Sequence, residues 1–189
     1  MRVFIAVDVE EPLLVSRLSR LIDAVASTGV PLKAVEPENL HITIRFIGEV
    51  PEGLAGEIAR EVIGRLEFPE FEVELRGLGA FPGPYRPRVV WVGVSEGAEW
   101  LSKIRGQVEE GLRRLGVPPE RGGKEFHPHV TLARVKGSRN IQALARLIAE
   151  YGDYTVGRMR VASVRLKKST LTPRGPIYET LAEARARSP

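Results

Sequence analysis

The chain has no cysteine, so disulfides, thiol catalysis and thiolate metal sites are excluded. Histidine is scarce too, with three in 189 residues. No stretch approaches the ~20 apolar residues of a membrane-spanning helix. The apolar run that opens the chain, Val3 to Val7, is too short for a signal peptide. A cytoplasmic protein without membrane association is therefore expected. Heptads, solenoid periods and low-complexity tracts are missing. Gly77-Leu78-Gly79 and Gly122-Gly123 lack the Lys-Ser/Thr of a loop that cradles a triphosphate, and no HExxH or Asp-rich cluster offers a metal its ligands. No cofactor and no metal are expected. The net charge is only +4, a mild basic bias that falls short of an architectural nucleic-acid binder but suits an anionic ligand.

What is present is ordinary for a globular domain: 43% hydrophobic and 28% charged residues, enough to build a core without staples. Residues 2–9 read as a strand. A helix follows Glu11-Pro12, with Leu14, Leu18, Leu21, Ile22 and Val25 at helical spacing and Gly29 at its end. A short strand at 32–35 and a turn at Pro37-Glu38-Asn39 lead into a strand from His41. The second helix carries Leu54, Ile58, Val62 and Leu66 on one side. Residues 71–78 and 88–94 alternate as strands around a Pro/Gly-rich loop at 81–87. A third helix spans 98–115, and a turn at 118–123 delivers the chain to a strand from His129. The fourth helix begins at Asn140, a favourable N-cap. Residues 154–168 give one or two strands, 172–176 a turn, and 177–181 the last strand, after which the tail from Glu183 is expected to fray. The order predicts an α+β fold of largely antiparallel sheets with helices packed on the outer faces. Composition shows no linker, so residues 1–189 are expected to form a single bilobal domain, and a monomer.

The closest thing to a repeat is chemical. Leu40-His41-Ile42-Thr43-Ile44-Arg45-Phe46 and Phe126-His127-Pro128-His129-Val130-Thr131-Leu132-Ala133-Arg134 each hold a His-x-Thr-x tetrapeptide, at 41–44 and 129–132. On a strand, the His and the Thr two residues on share a face. Two such strands suggest a pseudo-twofold cleft with one imidazole on each wall. An imidazole titrates near pKa 6.5, so one can hold a proton while the other lacks it. A facing pair then supplies a base for the attacking oxygen and an acid for the leaving one at a phosphorus between them. Thr43 and Thr131 can donate to the non-bridging oxygens, and an arginine can add charge and a bidentate fork. One tetrapeptide alone means little, because a strand histidine is usually structural; two copies in a chain with three histidines are informative. His127 is expected at the cleft rim. Strict alternation puts Arg45 on the face of His41 and turns Arg134 away from that of His129 unless a bulge re-aims the strand. Phe4, Phe46, Phe81, Tyr85 and Trp91 could stack a base, with core packing the commoner fate of each.

These stretches resemble the LigT-like RNA 2′,3′-cyclic phosphodiesterases of the two-histidine phosphoesterase superfamily. The likeness is carried by residues 2–7, by 37–50 and 126–134, and by a closing-hairpin segment at 171–178. The resemblance implies a bilobal α+β fold with both motifs on inner strands facing a groove. It implies a hydrolase that opens the terminal 2′,3′-cyclic phosphate of RNA ends to a 2′-phosphate without metal. His41 would be the proton donor and His129 the proton acceptor. Thr43, Thr131 and Arg134 would bind the phosphate, Arg134 being preferred over Arg45 against the parity count. Relatives also join tRNA halves through a 2′–5′ linkage, so a 2′–5′ RNA ligase is an alternative reading; a non-catalytic binder of RNA ends is another.

Overall fold

β1 (Arg2–Asp8) is buried along most of its length, because Val3, Phe4, Ile5, Ala6 and Val7 run between neighbours on both edges. The coordinates are a computed structural model that describes residues 1–122 and 125–188. Gly123, in the expected 118–123 turn, and Pro189, in the expected frayed tail, lie outside the described residues. After β1 come α1 (Pro12–Ala26), β2 (Leu32–Ala34), β3 (His41–Glu49), α2 (Glu52–Glu61), β4 (Phe71–Phe81) and β5 (Val89–Val94). The chain continues through α3 (Ala98–Arg114), β6 (His129–Val135), α4 (Ile141–Glu150), β7 (Thr155–Val161), β8 (Ser163–Thr172) and β9 (Gly175–Arg185).

The strands lie in the order β7-β4-β5-β6-β3-β1-β8-β9, with β2 added on β6. Every pairing between these strands is antiparallel. Between β6 and β3 the ladder shrinks to one rung, Ile42 with Val130. The expected two sheets are thus two four-stranded halves of one curled sheet, joined at the point where both histidine motifs begin. The halves exchange strands. β1, α1, β3, α2 and β4 follow one another, as do β5, α3, β6, α4 and the β7–β8 run. Yet β4 pairs with β5 of the second unit, and β8 pairs with β1 of the first.

The helices bury the faces that their apolar spacing predicts: Leu14, Leu18, Leu21, Ile22 and Val25 on α1, and Leu101, Ile104, Val108 and Leu112 on α3. Together with the inward strand residues they form one core cluster. Fully burying such a side chain stabilises the fold by about 1.5–3 kcal/mol relative to exposure.

Some details depart from expectation. α2 stops at Glu61, and Ile63–Arg65 form a tighter 3₁₀ turn, so Val62 and Leu66 reach the core from outside the helix. Asn140 precedes α4 but makes no capping hydrogen bond; its φ of 62° is left-handed, a conformation that asparagine tolerates better than most residues. The tail does not fray at Glu183. β9 runs to Arg185, Ala184 is buried opposite Val164, and Arg187 N–H donates to the Phe68 carbonyl at 2.9 Å.

Candidate active site

β3 and β6 start on their histidines and share one burial pattern over seven residues: half-buried, buried, half-buried, buried, buried, exposed, half-buried. Ile42 and Val130 turn into the core, both fully buried. His41, Thr43, His129 and Thr131 therefore share the opposite face. Counting outward from the Ile42–Val130 rung, antiparallel polarity sets His41 toward Thr131 and Thr43 toward His129. In a regular ladder of this sense, diagonal neighbours such as the two histidines stand roughly 7–8 Å apart, and here the charge of His129 is felt at His41.

Each imidazole is held in the same way. His41 Nδ1 lies 2.7 Å from the Asn39 carbonyl, and His129 Nδ1 lies 2.6 Å from the His127 carbonyl. A carbonyl only accepts, so Nδ1 carries the proton in both rings and Nε2 is the nitrogen left to exchange one. Thr43 Oγ1 sits 3.0 Å from His41 Nε2. Burial lowers the pKa of both histidines below the ordinary value, with the carbonyl contacts opposing it. His41 also faces Asp8 across the ladder. That carboxylate is taken up by Lys167 Nζ and Arg165, each at 2.7 Å, so its pull on the His41 proton meets the push of Lys167. His129 has Gly93 in the corresponding place.

The two arginines part company at a bulge. Thr43 pairs with Ala6 and Arg45 with Ile5, so Ile44 is an extra residue; Thr131 pairs with Trp91 and Ala133 with Val90, so Leu132 is extra. An inserted residue reverses parity from there on. Arg45 consequently points into the core, 2% exposed, where Nε meets Glu109 at 2.6 Å and the terminal nitrogens donate to the Phe46 and Pro118 carbonyls. This corrects the strict alternation that placed Arg45 beside His41. Phe46 and Arg134, five residues beyond each histidine, emerge on the cleft face instead.

A cavity of about 430 Å³ opens there, within the range of small-ligand sites. His41, Thr43, Phe46, Thr131 and Arg134 line it, together with Phe4 and Tyr178. Phe4 and Tyr178 pack edge to face at 4.9 Å and both flank the His41 ring. The β8–β9 turn closes one side; its Pro176 carbonyl accepts from the buried Asn39 amide at 2.9 Å, so the residue that orients His41 also seats the turn. His129 is not among the lining residues. It lies beyond Thr131 in a second aromatic group, 5.1 Å from Phe81 and 6.0 Å from Trp91. His127 is exposed at the rim against Trp91, and the indole Nε1 is buried without a hydrogen-bond partner among the described residues. A larger hollow of about 810 Å³ lies elsewhere, beside Phe71 and Trp100, without any motif residue. Its Arg160 and Arg187 pair with Glu70 and Glu67. Among the described residues, no three His, Asp or Glu side chains gather as a metal's ligand set.

Asn39, Trp91 as the wall of His129, and Tyr178 escaped the sequence reading. Asn39 reads as a turn former in Pro-Glu-Asn, and nothing in its spacing announces a carbonyl aimed at an imidazole two residues on.

Residues 14–169 match the family described as the 2′-5′ RNA ligase superfamily, and the chain belongs to it. It is 58% identical over 175 residues to an Aeropyrum pernix protein named RNA 2′,3′-cyclic phosphodiesterase, covering 93% of this chain and 98% of that one. A Methanothermobacter thermautotrophicus protein of the same name is 44% identical over 178 residues, 94% of either chain. Among solved structures, a Thermus thermophilus protein superposes with a TM-score of 0.79 at 26% identity, covering 98% of this chain and 97% of its own. No helix among the described residues is long and apolar enough to cross a membrane.

Proposed function

We propose that this chain is an RNA 2′,3′-cyclic phosphodiesterase that opens the terminal cyclic phosphate of an RNA end to a 2′-phosphate. The observation that carries the reading is the single rung at Ile42–Val130, which brings two His-Thr pairs together in opposite senses over one cleft. The relatives named for this activity, at up to 58% identity, support it.

The asymmetry of the cleft supports an assignment of roles. In-line displacement puts the incoming water and the departing oxygen on opposite sides of phosphorus. In a 2′,3′-cyclic phosphate the departing 3′ oxygen belongs to the sugar. The cavity that can house a nucleoside adjoins His41, whereas aromatic rings fill the space around His129. His41 is thus the proton donor to the 3′ oxygen, and His129 is the proton acceptor that activates water. Thr43, Thr131 and Arg134 bind the phosphate oxygens as charge moves onto them. Neither metal nor cofactor enters these steps. Residues 1–189 act as one bilobal catalytic unit and as a monomer, with tRNA halves among the candidate ends. With a 5′-hydroxyl in place of water as the nucleophile, the same groups would form a P–O5′ bond and break the P–O3′ bond of the cyclic phosphate, the 3′ oxygen taking its proton from His41, so a 2′–5′ ligation needs no further residue.

An oligonucleotide ending in a 2′,3′-cyclic phosphate tests the reading. The expected product is the 2′-phosphate alone, formed equally in EDTA. A 3′-phosphate product, or an intact substrate, would refute it.

A further inference from the structure

The cavity carries more positive charge than one phosphate uses. Arg2, Lys33, Arg134 and Arg174 line it against one acid, Glu36. None of these four cations is in an ion pair among the described residues, whereas buried or half-buried Arg45, Arg105, Arg165 and Lys167 all are.

Three of the four form a track. β2 exists only as an addition to β6, and it sets Lys33 directly across from Arg134. Like charges in that relation repel and cost stability. Lys33 Nζ reaches on to the Arg174 carbonyl at 3.2 Å, which ties β2 to the β8–β9 turn and puts the Arg174 backbone next in line. The turn itself is fixed, with Thr172 Oγ1 donating to the Gly175 carbonyl at 2.6 Å and accepting from Arg174 N–H at 3.2 Å. A local electrostatic penalty kept in an ordered place marks a site that awaits a counter-charge.

We propose that Lys33 and Arg174 bind a second phosphate, the 5′-phosphate of the terminal nucleotide, which in a strand is the internucleotide linkage next to the reacting one. This rests on the function proposed above and narrows its substrate class. The site takes the end of a polynucleotide in preference to a nucleoside 2′,3′-cyclic phosphate without a 5′-phosphate. Thr43, Thr131 and Arg134 hold the reacting group, Phe4, Phe46 and Tyr178 offer faces to the nucleoside, and the Lys33–Arg174 pair receives the next charge along.

Equilibrium binding of product-like ligands tests this without turnover. Adenosine 2′-phosphate and adenosine 2′,5′-bisphosphate are titrated calorimetrically into the wild type and into the Lys33→Gln/Arg174→Gln variant. The bisphosphate should bind the wild type at least about tenfold more tightly, as one charge-assisted phosphate contact allows. In the double variant that ratio should fall below about threefold. Arg174→Gln alone, on an exposed turn, repeats the test with the Lys33 contact left in place and should lower the ratio part way. Equal affinities in the wild type, or a ratio that survives both variants, would overturn the proposal. A missing cyclic-phosphate turnover would strike the reaction assigned above and leave this result to be judged on the binding ratio alone.

Discussion

Ala6 pairs with Thr43 on one wall of the cleft as Trp91 pairs with Thr131 on the other. A methyl group and an indole thus hold equivalent positions in a pseudo-symmetric pair of strands. The cavity opens beside His41, whereas the indole packs against His129. Two matching tetrapeptides thus differ through their neighbours.

His41→Ala and His129→Ala should each lower turnover of a cyclic-phosphate oligonucleotide by about 10²-fold or more, the usual contribution of a positioned acid or base. Circular dichroism should be unchanged, since both rings lie at the cleft. A variant that retained more than a tenth of wild-type turnover would remove that residue from its role.

Arg45 and Arg134 should fail in opposite ways. Arg45→Ala strips partners from the Phe46 and Pro118 carbonyls and from Glu109, and should cost on the order of 2–4 kcal/mol of unfolding free energy. Arg134→Ala, exposed, should stay within about 0.5 kcal/mol in stability while losing transition-state stabilisation. Urea denaturation beside kcat/KM separates the two. Equal stability losses would contradict the parity reversal.

Asn39→Ala removes the amide that holds the Pro176 carbonyl. Stability should fall by about 1–3 kcal/mol, the cost of a buried acceptor left alone. Hydrogen exchange at Gly175 and Tyr178, in the β8–β9 hairpin, should speed up before exchange elsewhere. Unchanged protection there would show that the turn is seated by other contacts.

Both histidines are held below their ordinary pKa by burial, so near pH 6.5 the unfolded chain binds more protons than the folded one. Their contribution to stability is whole above about pH 6.5 and is lost as pH falls through the lowered folded-state values. The His41→Asn/His129→Asn double variant should show a shallower decline below that pH in denaturation series. An identical slope would mean that other groups carry the acid sensitivity. A bound phosphate dianion should raise both midpoints, readable by NMR titration.

The strands and helices were legible in the chain because their apolar residues keep regular spacing, as Leu101, Ile104, Val108 and Leu112 do. The two histidines and threonines were legible for the same reason: two residues apart is too short a count for an irregularity to intrude. Beyond Thr43 and Thr131 the count fails. The extra residues Ile44 and Leu132 look like any strand aliphatics, and only pairing with β1 and β5 reveals them. β9 was underestimated because most of its side chains meet solvent, which leaves no alternation to read.

The exchange of β4 and β8 between the two units has a practical corollary. Cutting the chain in the 82–88 loop would yield a leading fragment whose last strand has lost its partner β5, and a trailing fragment whose β8 has lost β1. Neither piece could close its own edge, and hydrolysis would return only when the two were mixed, at a rate set by their encounter. Selection on either motif therefore acts through the other half of the polypeptide.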